Sequence, residues 1–235
     1  MNPKVSAPTY LVVGSKPWNY RVFQEIICKY PGKWRFISDP QELTLETVGE
    51  INPRYLFFLH WSLKVPPAII TNFECVCFHM TDVPYGRGGS PLQNLIARGH
   101  VSTRLTALRM SKEFDAGPVY LQEDLGLQGG AEEIYLRATY LAARMIGRII
   151  QEEPTPVAQQ GEATVFARRQ PADSEIPELA SLPELFDFIR MLDAEGYPRA
   201  FLDYKGYRFE FRRAALYDGR IAADVVITPK DGNKP

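Results

Sequence analysis

The stretch from Cys77 to Asn94, CFHMTDVPYGRGGSPLQN, concentrates the groups that could do chemistry. The apolar run Cys75-Val-Cys-Phe78 leads into His79, and a turn carrying Thr81, Asp82 and Pro84 follows. Histidine is the side chain whose ordinary titration lies nearest neutrality, so it suits general acid–base work. Next comes Gly86-Arg87-Gly88-Gly89, whose glycines let backbone approach a ligand, and then Ser90-Pro91 at a helix start, which favours an anion. On local chemistry alone, His79 reads equally well as a hydrogen-bonded core histidine and the glycines as a plain turn. A second cluster, Lys112-Glu-Phe-Asp115-Ala-Gly-Pro118, sets a carboxylate in a turn; Asp before such residues is more often loop punctuation than chemistry. Cys75, Cys77 and His79 share one face of a strand, but residues two apart are roughly 6.6 Å apart along it. That is too far for two ligands of one tetrahedral zinc, so no metal is expected. Gly14-Ser15-Lys16 lacks the spacing of either glycine-rich nucleotide fingerprint, yet its amides and Lys16 could hold an anion.

Alternating strands and helices must position these residues. Tyr10–Val13 predicts a strand, and apolar residues at helical spacing predict a helix over 20–30, closed by Pro31-Gly32. Trp34–Ile37 predicts a second strand, 43–51 a helix, and the wholly apolar Tyr55–Leu59 a strand covered on both faces. A short helix and the strand 75–78 follow. This order implies βαβ units and a mostly parallel, Rossmann-like α/β sheet with flanking helices, whose ligands bind at the strand C-termini. Further on, 90–97 predicts a helix, 103–109 and 119–121 strands, and 131–151 a long amphipathic helix. The segment 152–162, rich in Pro, Gln and Glu, reads as a linker. It divides a domain at 1–160 from a small α+β or β-rich subdomain at 161–235. The latter has a helix near 182–193 and strands at 200–204, 207–212 and 222–228, turned at Lys205-Gly206 and Asp218-Gly219.

Composition narrows the classes. With 235 residues, 45% hydrophobic and 23% charged, the chain is an ordinary globular sequence. Lys+Arg 27 against Asp+Glu 28 gives net charge -1, which argues against a nucleic-acid partner. No apolar run approaches a membrane span or a signal-peptide core, and three cysteines do not make a disulfide framework. A cytoplasmic protein is expected.

The two clusters together resemble the signatures of the folate-dependent formyltransferases. His79 falls on that family's histidine, Thr81 on a serine, Pro84 on a proline and Arg87-Gly88 on an arginine-glycine pair, while Glu113-Phe-Asp115-Ala-Gly117 matches the second signature. Arg168–Asp173 and Tyr197–Phe201 resemble the C-terminal part of transfer-RNA and sugar formyltransferases, so the likeness covers most of the chain. It implies an N-formyltransferase with 10-formyltetrahydrofolate as donor and a primary amine as acceptor. His79 is then expected to stabilise the oxyanion or relay protons, with Asp115 orienting it and receiving the amine's proton. Trp61, Ser62, Leu63, Met110, Ser111, Lys112 and Glu113 are expected at the folate. Gly14, Ser15, Lys16, Thr81, Arg87, Gly88 and Gly89 are expected at the other substrate. The family's catalytic asparagine is Cys77 here, a weak donor; His60 or Thr81 is expected to compensate. The short tail and net charge favour a nucleotide-linked amino-dideoxy sugar as acceptor, for surface glycan synthesis. His79-Met-Thr-Asp82 with Gly86-Arg-Gly-Gly-Ser-Pro91 is most similar to enzymes acting on a UDP-4-amino-4,6-dideoxy-N-acetyl sugar of the pseudaminic-acid route. The alternatives are glycinamide-ribonucleotide formylation and a folate-binding relative without activity. No membrane partner is expected, and a homodimer is allowed.

Overall fold

The computed structural model describes residues 7–230, which form two compact units. The first comprises the chain through Arg87 together with Arg104–Leu125 and Leu136–Val165. Its six-stranded sheet has the order β2(Lys33–Ile37), β1(Thr9–Gly14), β3(Tyr55–Leu59), β4(Cys75–His79), β6(Ser102–Arg109), β7(Val119–Gly126), and the short strands β5(Arg87–Gly88) and β8(Val165–Phe166) pair separately. The first four are parallel, with Val13 beside Ile37, Gly14 beside Leu59 and Phe58 beside Cys77. β6 is antiparallel to β4, with His79 opposite Thr106, so the sheet is mixed rather than wholly parallel. All five residues of β3 are buried, as an uninterrupted apolar run requires of a central strand.

Side-chain alternation gives the sheet two different faces. On one, Leu11, Val13, Leu56, Phe58 and Cys75 pack with Ile37, Leu43, Val48, Val65 and Ile69. The helices α2(Leu45–Ile51) and α3(Pro67–Asn72) supply Val48 and Ile69 to this cluster. α2 starts at Thr44, whose hydroxyl accepts from the Thr47 amide at 3.1 Å, and stops where Asn52 turns left-handed (φ 45°). On the other face Tyr10, Trp34, Tyr55, Phe57 and Phe78 form a chain of ring contacts with centroids 4.7–6.5 Å apart. α1(Pro17–Glu25) begins earlier than periodicity predicts, because Pro17 suits a first turn, and Asn19 Oδ1 accepts the Lys16 amide at 3.0 Å. It ends where Ile26 leaves helical geometry (φ −131°, ψ −61°), and a 3₁₀ turn, Ile27–Lys29, completes the expected helix.

A polar knot sits among these apolar layers. His60 follows β3 with φ 47°, and its Nδ1 lies 3.3 Å from both Asn19 Nδ2 and Thr139 Oγ1. Asn19 and Thr139 are fully buried. An amide nitrogen can only donate, so Nδ1 accepts and the imidazole is neutral with its proton on Nε2.

The second unit comprises Gly88–Thr103, Gly126–Tyr135 and the chain from Phe166 onward. It contains α4(Pro91–Ile96), α6(Leu182–Arg190) and the antiparallel sheet β11(Arg220–Pro229), β10(Tyr207–Tyr217), β9(Phe201–Tyr204). Lys205 and Gly206 both have positive φ, as a tight hairpin turn demands. The last two strands run longer than expected because a bulge at Arg213 (φ 48°) lets pairing resume beyond it. The long helix α5(Ala131–Glu152) starts in this unit and continues into the first. No helix among the described residues is long and apolar enough to cross a membrane.

The segment expected to be a linker is held in place. Val157 exchanges two backbone hydrogen bonds with Val119, at 2.7 and 2.8 Å, and Glu153 pairs with Arg54 at 2.8 Å.

Burial, and then the charge of Lys16, push His60 down to about 4 from an ordinary 6.5. Between those values the unfolded chain binds the extra proton and the folded chain does not, so stability falls as pH falls. Denaturant unfolding from pH 7 to 4 is expected to show a loss of up to about 3 kcal/mol from this group. His60→Asn, which tolerates the left-handed backbone, is expected to flatten that slope; an unchanged slope would contradict the assignment.

Candidate active site

β4 delivers His79 to the end of the sheet on the same face as Cys75 and Cys77, and the ring is 7% exposed. Its Nε2 is 2.8 Å from the carbonyl oxygen of Gly86. A carbonyl can only accept, so Nε2 carries a proton, and a neutral ring then turns the Nδ1 lone pair outward. Nδ1 faces Asp115 Oδ1 at 3.5 Å, longer than a direct hydrogen bond. The Gly86 carbonyl is fixed by its own loop, because the fully buried Thr81 hydroxyl also donates to it at 3.3 Å. Thr81 is held in turn by Thr106, whose hydroxyl donates to the Thr81 carbonyl at 2.7 Å.

Asp115 reaches His79 from the turn joining β6 and β7, with a left-handed backbone (φ 54°). The turn can close only because residue 117 is glycine: a Cβ there would lie 1.8 Å from the Arg109 carbonyl oxygen. Cys77 occupies the same edge. Burial first, and the charge of Asp115 second, push its thiol far above the ordinary range, so it remains S–H, a weak donor.

Trp61, Cys77 and Met110 each pack, partly buried, against the apolar cluster of this sheet face. Trp61 Nε1 is buried with no hydrogen-bond partner among the described residues. Met110 donates its amide to the Cys75 carbonyl at 2.8 Å. Ser62, Leu63, Ser111, Lys112 and Glu113 are exposed in the loops beside these residues, Ser111 donating its hydroxyl to the Glu113 carbonyl.

A family model described as the C-terminal domain of methionyl-tRNA formyltransferase matches residues 171–228. The solved structure of a methionyl-tRNA formyltransferase from Clostridium thermocellum is 45% identical, with a TM-score of 0.90, over 95% of this chain and 100% of that one. The chain belongs to the folate-dependent formyltransferase family. A curated methionyl-tRNA formyltransferase of Ehrlichia ruminantium (strain Welgevonden) is 26% identical over 179 residues, 73% of this chain and 57% of that protein. The chain therefore spans a little over half the length of this curated relative. A sugar N-formyltransferase from Shewanella sp FDAARGOS_354 is 15% identical with a TM-score of 0.69, over 89% of this chain and 98% of that one, which shows a shared fold only.

These likenesses overturn the expected acceptor. A nucleotide-linked amino sugar, with its pseudaminic-acid and glycan context, does not fit a formyltransferase chain whose strong likeness lies with the methionyl-tRNA branch. The alternatives of glycinamide ribonucleotide and an inactive folate binder fall with it. Excluding a nucleic-acid partner is corrected too, and the physical reason is plain. Net charge averages over the chain, whereas RNA meets one surface. Strands β9–β11, their turns and the following Lys230 carry Lys205, Arg208, Arg212, Arg213, Arg220 and Lys230 against Asp203, Glu210, Asp218 and Asp224, with Arg208 and Lys230 paired to Asp203 and Arg213 to Asp224.

The remaining expected residues are dispersed. In the first unit, the Lys16 amide is spent on Asn19 and its ammonium lies 5.9 Å from the Trp18 ring centroid. Gly14 passes so close to Asn19 that a Cβ would come within 2.8 Å of it. His60, an expected substitute for the missing asparagine, lines a small cavity with Phe78, Leu105 and Ala138, on the sheet face opposite His79. Arg87 donates from Nε and Nη2 to Gln159 Oε1, at 3.0 and 2.7 Å. In the second unit, Gly88 has φ 100°, and Gly89 lies against the Arg168 backbone, where a Cβ would be 2.5 Å from Cα. Gln159 and Thr106 had no signal in the sequence: one is a glutamine in a Pro- and Gln-rich stretch, the other a threonine in a strand.

Burial pushes Cys75 up to about 12, and Cys28 is exposed. Iodoacetamide at pH 8 is therefore expected to modify Cys28 alone in the folded chain and all three cysteines after denaturation, read by mass spectrometry. Equal reaction of Cys77 in the folded chain would contradict the S–H assignment.

Proposed function

We propose that this chain transfers a formyl group from 10-formyltetrahydrofolate to the α-amino group of methionyl-tRNA. The observation carrying this is the 45% identity over the full length of the Clostridium thermocellum methionyl-tRNA formyltransferase. The first unit fits the donor: an apolar floor ending in Trp61, Met110 and Cys77, with a buried indole N–H still lacking an acceptor, suits a flat heteroaromatic ring bearing a carbonyl. Ser62, Leu63 and the loop of Ser111, Lys112 and Glu113 would border it. The donor, when bound, supplies an electrophilic formyl carbon whose oxygen gains negative charge on attack.

The chain's own residues handle the protons. His79 has Nε2 committed to Gly86, so relay through Nδ1 is favoured over direct donation to the oxyanion. The attacking amine loses a proton as its bond to the formyl carbon forms, and the Nδ1 lone pair and the Asp115 carboxylate are two acceptors facing one another to receive it. The same pair can return that proton to the donor nitrogen whose bond to the formyl carbon breaks. Protonated on both nitrogens, the imidazolium keeps an acceptor on each side, Gly86 O and Asp115. Cys77 offers only a weak S–H donor, and loss of one oxyanion donor costs about 10²–10³ in rate. Turnover is therefore expected to be slower than in an asparagine-bearing site. Arg87 meets a neutral oxygen rather than a carboxylate, so its charge remains for an anionic group of the acceptor. Thr81 serves the loop, while Gly14, Ser15, Lys16, Gly88 and Gly89 stay as acceptor-side candidates. A catalytic part at 1–160, an RNA-facing part at 161–235 and a cytoplasmic location, where charged tRNA is found, belong to the same reading.

The test is incubation with 10-formyltetrahydrofolate and methionyl-tRNA, followed by mass spectrometry of the released amino acid. Formylmethionine is expected, with catalytic efficiency falling steeply between about 50 and 200 mM salt as phosphate contacts weaken. No formylmethionine under conditions where the chain binds folate would overturn the acceptor assignment.

A further inference from the structure

Gln159 lies outside both signatures, yet its amide is fully used. Oε1 accepts two hydrogen bonds from Arg87, at 3.0 and 2.7 Å, and Nε2 donates two, to Asp115 O and Gly117 O, both at 2.8 Å. A primary amide has two donors and an oxygen with two lone pairs, and here each is engaged. Asp115 is left-handed (φ 54°), a conformation that aspartate enters more readily than most residues and that the surrounding hydrogen bonds hold in place. Gly117 is pressed against the Arg109 carbonyl from one side, and Gln159 holds the carbonyls of residues 115 and 117 from another. The segment that carries Gln159 is itself anchored by the paired hydrogen bonds between Val157 and Val119.

We propose that Gln159 is a positioning residue, which fixes the Asp115 carboxylate opposite His79 Nδ1 and couples that placement to Arg87. It touches neither substrate nor the travelling proton; it acts through the backbone of the Asp115–Gly117 turn. The same amide links the proton-accepting pair to the guanidinium assigned to the acceptor. A group engaging Arg87 would therefore pull on the element that aims Asp115. This rests on the reading of His79 and Asp115 as the proton-accepting pair.

Two variants and two readouts test it in the intact chain. Gln159→Leu removes all four hydrogen bonds, whereas Gln159→Glu keeps an acceptor for Arg87 and loses both donors to the turn. Each is expected to lower the single-turnover formyl-transfer rate by about 10- to 100-fold, the cost of misplacing a catalytic group by about 1 Å. The KM for 10-formyltetrahydrofolate is expected to stay within about twofold. Added to Asp115→Asn, Gln159→Leu is expected to cost less than about threefold, because its effect passes through that carboxylate. The second readout needs no acceptor: in ¹⁵N NMR at fixed pH, the His79 Nδ1 resonance is expected to move in both Gln159 variants in the direction seen with Asp115→Asn, with Nε2 moving less. If methionyl-tRNA is not a substrate, the resonances still decide the role of Gln159. Unmoved His79 resonances in both variants, or rate losses that multiply in the double variant, would overturn it.

Discussion

A carbonyl oxygen cannot give up a proton, and the rest of the site follows from where one such oxygen is placed. Gly86 O, 2.8 Å from His79 Nε2, fixes the tautomer of the ring and commits the other nitrogen to Asp115. The chain spends several buried polar groups on holding that oxygen still. Thr81 donates to it, Thr106 holds Thr81, and Gln122 reaches Thr106 at 3.1 Å and Asp82 at 2.7 Å. A network of this kind stiffens a loop because each member left unpaired would cost more than its hydrogen bond gains. The loop after β4 is thus built as a rigid support for one imidazole.

The two faces of the sheet divide the remaining labour. One face is apolar to its edge, where Trp61, Met110 and Cys77 pack against the cluster and the Trp61 indole N–H is buried without a partner among the described residues. The opposite face buries the aromatic chain from Trp34 to Phe78 and locks His60 neutral between Asn19 and Thr139. His60 and Trp61 are adjacent in sequence and serve opposite faces. The left-handed turn at His60 starts the loop in which Trp61 crosses to the other face of the sheet. Cysteine in place of an asparagine is the price of neither face: burial keeps the thiol protonated, and it packs as a small apolar residue with a weak donor.

Much of this was legible in the residues. Apolar runs with turn residues between them located the strands of both sheets, and two short signatures located His79 and Asp115. Strand ends were legible only roughly, since β10 and β11 continue through a bulge that leaves no mark on alternation. The segment 152–162 misled because Pro- and Gln-rich composition reports solvent exposure, while the backbone pairing at Val157 and the side chain of Gln159 depend on partners far away in sequence. For His60 the residue order shows only a place at the end of β3, and the turn at φ 47° shows which face it serves. The acceptor was hidden most deeply, because a net charge of -1 says nothing of how lysine and arginine are distributed over the surface.

The central claim is that Asp115 and His79 together accept the proton of the attacking amine. Its most direct measurement is the single-turnover rate of formyl transfer to methionyl-tRNA by Asp115→Asn, a variant that keeps the side chain's shape and suits the left-handed backbone. General-base assistance of this kind contributes about 10²–10⁴ in rate. The rate is therefore expected to fall by at least about 10²-fold, with folate affinity, read by isothermal titration calorimetry, nearly unchanged. A rate close to that of the unaltered chain would contradict the account.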